Sequence, residues 1–184
     1  MSQNPDAPGS GNGGDSEPTA TGAAASGAGA AEQKTQPPLA VNAQYVKDLS
    51  FEAPATPGIL AEVQKQPPDI SINVDVRATR MQEPTYEVVL YIRAECKVAE
   101  ATAFIVELSY AGLFSLHVQA ERLQPVLLVE CPRLIFPFAR HIIANATRDG
   151  GFPPLMLGPV DFLAMYRSQL EKAQADAAAT SNLA

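Results

Sequence analysis

Three consecutive segments alternate apolar and polar residues and are separated only by short turns. ISINVDV begins at Ile70, YEVVLYIRAECKVA at Tyr86 and TAFIVELSYAGLFSL at Thr102. Because successive side chains of a strand point to opposite sides, this alternation indicates strands with one buried face. Short turns between them favour an antiparallel meander. LAVNAQYVKDLSF, from Leu39, predicts an earlier strand, and a long proline-rich connection must carry the chain across to join the meander.

The periodicity changes after residue 120. ERLQPVLLVEC, from Glu121, predicts a short helix that is kinked or started at its proline. The segment from Pro132 has apolar residues at amphipathic-helix spacing, and a last helix is expected from about Pro159. Strands followed by helices predict an α+β fold. The apolar positions of the long helix are Ile135, Phe138, Ala139, Ile142, Ile143 and Ala146.

Composition divides the chain into three parts. Residues 1–36 hold much of the glycine and almost no large apolar side chains, so they cannot bury enough surface to offset the entropy of ordering. We expect a disordered tail there and a folded domain over residues 37–173. The alanine-rich residues 174–184 are predicted to form a second disordered tail.

The charge balance narrows the choice of partners. The formal net charge is −7, so the protein repels phosphate backbones, and we expect no nucleic-acid partner. The same charge favours a basic protein partner. No segment has the pattern of a signal peptide or a membrane span. A cytoplasmic protein without direct membrane insertion is therefore expected.

The chain offers few residues for catalysis. Its two histidines, His117 and His141, lack metal-ligand neighbours in the sequence, and the two cysteines, Cys96 and Cys131, lie in apolar surroundings typical of buried thiols. We therefore predict no catalytic residue, no metal and no cofactor, and a binding protein rather than an enzyme.

Two surfaces remain as candidates. GGFPPLMLGPVDF, from Gly150, is too rich in proline and glycine for a regular element and too apolar for a solvated loop. It either covers the core or meets a partner. On the strand from Thr102, Ile105 and Glu107 lie opposite the predicted core face, where they offer an apolar contact beside a carboxylate. Asp48 and Glu52 carry further carboxylates.

Several blocks resemble the SecB protein-export chaperones. They are QYVKDLSFEAP, YEVVLYI, EATAFIVEL, GLFSL, CPRLIFPFAR and GGFPPLMLGPVDF, in order between Gln44 and Tyr166. The resemblance implies a four-stranded antiparallel sheet with a crossover after strand 1 and helices packed on one face. It also implies a homotetramer, built as a dimer of dimers, that binds unfolded preproteins without ATP and delivers them to the motor SecA.

The resemblance assigns roles to both surfaces. The basic zinc-binding tail of SecA would dock on Asp48, Glu52, Ile105 and Glu107, and its zinc would belong to the partner. The loops Ala53–Pro68 and Gly150–Pro159 would flank a groove for clients. The client-binding residues expected from these loops are Ile59, Leu60, Val63, Phe152, Leu155, Met156 and Leu157.

Two departures from the family pattern affect this transfer of roles. The chain has no tryptophan, whereas some relatives carry one in the crossover, and its C-terminal end is rich in alanine. Two other functions stay open: a SecB-like chaperone dedicated to one client, such as an antitoxin, and an enzyme or small-ligand carrier that uses the groove.

Overall fold

The computed structural model describes residues 37–181, with side chains as far as residue 175. The predicted tail at residues 1–36 lies outside the described residues. At the other end, helical structure continues to Ser181, past the predicted domain limit at residue 173, and residues 182–184 are again outside. The high helix propensity of alanine accounts for this continuation.

Four long strands form one antiparallel sheet: β1 (Leu39–Glu52), β2 (Asp69–Gln82), β3 (Thr85–Val98) and β4 (Ala101–Leu116). Their order is β1-β4-β3-β2, so β2, β3 and β4 form a meander. β1 joins beside β4 after a crossover that contains the short helix α1 (Ile59–Glu62). The predicted meander with a crossover after the first strand is confirmed.

The strands differ in how much of their inner face is covered. On the central strand β3, every second side chain from Tyr86 to Val98 is buried. On β2, Val76 is buried, but Ile70 and Ile72 remain 39% and 48% exposed. The alternation therefore predicted strand and face correctly, whereas the expected burial is incomplete on β2 because it is an edge strand.

The helices follow the sheet. α2 (Ala120–Pro125), a π-helical segment (Val126–Glu130) and α3 (Cys131–Asp149) run on without a loop, and α4 (Phe162–Ser181) follows the apolar loop. In the π-helical segment the Cys131 amide bonds to the Val126 carbonyl, five residues earlier. Pro125 is the last residue of α2, and the wider π-helical turn begins directly after it.

The core lies between α3 and the inner face of the sheet. Ile135, Ala139 and Ile143 are fully buried, and Phe136 packs edge-on against Phe162 of α4 with ring centroids 5.8 Å apart. The prediction that Phe138 belongs to this face is wrong, because it is 50% exposed. The buried stripe contains Phe136, and Phe138 lies about 200° further round the helix.

Candidate functional site

The carboxylates expected to bind a basic partner lie together on the outer face of the sheet, opposite α3. Glu52 pairs with Ile105, and Asp48 pairs with Ser109, two residues from Glu107. Asp48 and Glu52 are exposed, while Ile105 and Glu107 are half-buried. We call these residues, Asp48, Glu52, Ile105 and Glu107, the acidic face.

A β-bulge brings the β1 carboxylates to this face. Val46 pairs with Tyr110 and Asp48 with the next residue, Ser109, so Lys47 is the extra residue. Each extra residue reverses the alternation of side chains that follows. Phe51 consequently turns inward, where its ring stacks on Phe104 of β4 at 5.8 Å between centroids.

Lys47 is held away from the acidic face by a polar cluster further along the sheet. Its ammonium lies 2.9 Å from the carboxylate of Glu87 on β3, which also accepts a hydrogen bond from the Tyr45 hydroxyl. The bond to Glu87 raises the pKa of Tyr45 to about 12. The bonds from Tyr45 and Lys47 lower the pKa of Glu87 below its ordinary value. Lys47 therefore neutralises Glu87.

A cleft of about 260 Å³ extends the acidic face from β1 and β4 across β3 to β2. It joins Asp48 and Glu107 to Asp75 on β2 and to Arg93 on β3; Glu52 and Ile105 do not line it. Alternation placed Asp75 and Arg93 on the polar faces of their strands, but only the strand register brings them together. The cleft lining is Asp48, Asn73, Asp75, Tyr91, Ile92, Arg93, Glu107, Leu108 and Ser109.

The residues expected in the client groove fall into two groups. Three are buried in the core: Ile59, Phe152 and Leu157. The other four are accessible: Leu60, Val63 and Leu155 are half-buried, and Met156 is 60% exposed.

On the helix side of the sheet, an apolar cavity of about 120 Å³ brings some of these residues together. Val63 comes from the crossover and Leu155 and Met156 from the loop after α3, whereas Ile59, Leu60 and Leu157 do not line the cavity. The strand residues Ile70, Cys96 and Phe104 also line it, and they were not predicted because only the fold brings them next to these loops. We call this cavity the loop groove; its lining is Val63, Pro68, Ile70, Cys96, Phe104, Phe152, Pro153, Pro154, Leu155 and Met156.

The loop that forms one wall of the groove is fixed at its base. The Phe152 ring packs against Phe104 and Phe51, at 5.0 and 6.2 Å between centroids. The Leu155 amide donates a hydrogen bond to the hydroxyl of the buried Thr147 (2.9 Å). Gly151 has φ +88°, which favours glycine. The base of the loop is thus part of the core, and its tip at Met156 is free to contact a ligand.

Both cysteines are buried. Burial raises the pKa of both thiols, that of Cys131 to about 12, so they are protonated at neutral pH. Among residues 37–181 the structure contains no cluster of three or more histidine, cysteine and carboxylate side chains suited to a metal. The geometry favours binding of two kinds of polypeptide segment: apolar segments in the loop groove and basic segments on the acidic face.

No helix in the part of the chain that the structure describes is long and apolar enough to cross a membrane.

Comparison with known families and proteins identifies the family of the chain. The family model described as preprotein translocase subunit SecB matches residues 32–173. The chain belongs to the SecB family. This match confirms the resemblance and spans both the acidic face and the loop groove.

Individual relatives agree with this assignment. The protein-export protein SecB of Rhodospirillum rubrum is 52% identical over 144 residues, which cover 78% of this chain and 89% of the relative. That of Maricaulis maris is 56% identical over 142 residues, or 77% and 82% of the two chains.

A solved structure shows the same fold in a distant protein. It is a SecB-like chaperone of Mycobacterium tuberculosis in complex with a peptide from the HigA1 antitoxin. The TM-score is 0.57 at 13% identity, over 67% of this chain and 91% of that one. The α+β fold class is confirmed.

Proposed function

We propose that this SecB protein is an export chaperone that binds unfolded secretory preproteins, keeps them competent for translocation without ATP and delivers them to SecA. The observation that carries the proposal is the family match over residues 32–173. The proposed activity consists of binding and release, with no chemical step and no cofactor.

The loop groove is the proposed client site. Its accessible apolar side chains are Val63, Leu155 and Met156, with the half-exposed Ile70 beside them on β2. Each apolar side chain that a client buries contributes roughly 1.5–3 kcal/mol before ordering costs. Pro153 and Pro154 stiffen the wall of the groove, which lowers the entropy that the loop loses when it binds a client. Such a site selects exposed extended segments, which a folded protein does not offer.

The acidic face is the proposed docking site for the basic zinc-binding tail of SecA. Its carboxylates, Asp48, Glu52 and Glu107, complement the charge of that tail, and Ile105 supplies an apolar contact. The zinc ion would remain bound to SecA. The polar cluster at Glu87 supports this role, because it keeps the nearby Lys47 from neutralising the carboxylates.

The proposed assembly is a cytoplasmic homotetramer, built as a dimer of dimers. The outer side of α3 supports it, since Leu134 and Phe138 are 44% and 50% exposed. Several grooves on one tetramer would raise the apparent affinity for a long client through effective concentration.

The test is the refolding of a denatured secretory precursor without ATP. We expect the protein to delay refolding stoichiometrically, in proportion to tetramer, and unfolded competitor chains to relieve the delay. Refolding at an unchanged rate with excess protein present contradicts the proposal. Charge reversal of Glu52 and Glu107 to lysine should preserve the delay and abolish SecA binding. Reversal of the exposed Glu121 and Glu171 changes the net charge equally and should leave SecA binding intact.

A further inference from the structure

Arg93 lies among the carboxylates that the proposed partner would contact. It stands on β3 between Asn73 of β2 and Glu107 of β4, each directly opposite in register. Its guanidinium hydrogen-bonds the Glu107 carboxylate and lies 3.8 Å from that of Glu95. It lines the same cleft as Asp48, so the chain supplies its own cation where a basic ligand would bind.

We infer that Arg93 is an internal counter-ion of the acidic face, which a basic partner segment must displace from Glu107. The inference rests on the proposed SecA-binding role of this face. The Arg93 and Glu107 side chains are 48% and 47% exposed. An ion pair at that exposure contributes little stability, so another cation can replace it.

The other basic residues nearby are held differently. Lys47 binds Glu87, whose side chain is only 12% exposed. The Arg77 guanidinium lies 4.9 Å above the centre of the Tyr91 ring and 3.3 Å from Asp75. Arg93 is therefore the cation within the cleft that a ligand meets at Glu107. A single lysine would merely exchange with it, whereas a segment with several cations also gains the contact to Asp48. Arg93 thus selects for multiply basic segments.

The experiment compares Arg93→Gln with Arg80→Gln by titration calorimetry, using a synthetic peptide of the SecA zinc-binding tail. Each substitution makes the formal net charge of −7 one unit more negative. Arg80 pairs with Glu83 and does not line the cleft. We expect Arg93→Gln to bind the peptide about two- to fivefold more tightly at low salt, the range of one exposed ion pair. Arg80→Gln should match the wild type.

A Glu107→Gln background provides the specific readout. There Arg93 has no carboxylate to mask at this position, so adding Arg93→Gln should give a smaller gain than it gives alone. Urea denaturation of every variant establishes that it is folded.

The possible outcomes separate this inference from the proposal beneath it. Three results each overturn the inference alone, provided that the wild type binds the peptide and reversal of Glu52 and Glu107 to lysine abolishes binding. They are equal effects of the two arginine substitutions, weaker binding by Arg93→Gln, and the same gain in the Glu107→Gln background. If neither the wild type nor Arg93→Gln binds the peptide, the SecA-binding proposal fails and the inference fails with it. Binding by Arg93→Gln but not by the wild type supports the inference in its strongest form.

Discussion

Thr147 connects α3 to the loop that borders the groove. Removing its hydroxyl group tests whether the hydrogen bond from the Leu155 amide anchors the loop. The residue is fully buried. Its Oγ1 donates to the carbonyl of Ile143 or Ala144, both at 3.1 Å, and accepts the Leu155 amide at 2.9 Å. Thr147→Val replaces the hydroxyl with a methyl group of similar volume. The Leu155 amide then loses its acceptor, whereas the two carbonyls remain within a helix.

The expected cost follows from the burial of that amide. An unsatisfied buried donor costs about 1–3 kcal/mol, and because Leu155 is half-buried we expect about 1–2 kcal/mol. Urea denaturation measures this loss in the free energy of unfolding. Hydrogen exchange should show the Leu155 amide exchanging much faster, because its closing hydrogen bond is gone.

Thr147→Ser is the matched control. It keeps the hydroxyl and removes one buried methyl group, which costs about 1 kcal/mol. The two variants should thus lose similar stability, while only the valine variant loses protection at Leu155. Wild-type protection of Leu155 in Thr147→Val would refute the reasoning, since the hydroxyl would then not anchor the loop.

Three further predictions concern the groove and the polar cluster. Phe152→Ala should lower the free energy of unfolding by about 3–5 kcal/mol. Met156→Ala should change it by less than about 0.5 kcal/mol and weaken client binding in refolding titrations. Equal stabilities of the two variants would contradict the difference in burial between Phe152 and Met156. Because the folded-state pKa of Tyr45 is raised from 10.0 to about 12, its hydrogen bond stabilises fully below pH 10 and is lost towards pH 12. Urea midpoints of Tyr45→Phe should therefore fall less over that range than those of the wild type. Gly150→Ala should destabilise, since its Cβ would lie 2.3 Å from a phenylalanine ring, unlike Gly158→Ala, which has open space; equal thermal midpoints would exclude the clash.

Periodicity predicted the central strands β3 and β4 because their inner side chains recur at every second residue. On β3 and β4 the inner residues are covered by α3 and the loop, so every second side chain is buried, as at Phe104, Val106, Leu108 and Tyr110. The same rule overestimated burial at Ile70 and Ile72, since alternation does not reveal which strand lies at the edge. Helical periodicity wrongly placed Phe138 on the buried face of α3, because apolar residues at helical spacing are compatible with two neighbouring stripes on the helix surface.

The sites were less predictable from residue patterns. A strict alternation along β1 would place Tyr45 and Lys47 on one face and Asp48 on the other. The bulge at Lys47 reverses this order, and it depends on the pairing with β4 rather than on local residue type. In the loop after α3, the apolar residues follow no period, so composition could not separate the buried Phe152 from the exposed Met156.

The two proposed surfaces use opposite faces of one strand. On β4, Phe104 lines the loop groove, while the next residue, Ile105, belongs to the acidic face. Successive side chains of a strand point to opposite sides of the sheet, so a client and a basic partner segment would not compete for the same surface. A shift of β4 by one residue would exchange Phe104 with Ile105 and destroy both sites together. The buried aromatic contacts of Phe104 therefore fix the position of the carboxylates on the other side of the sheet.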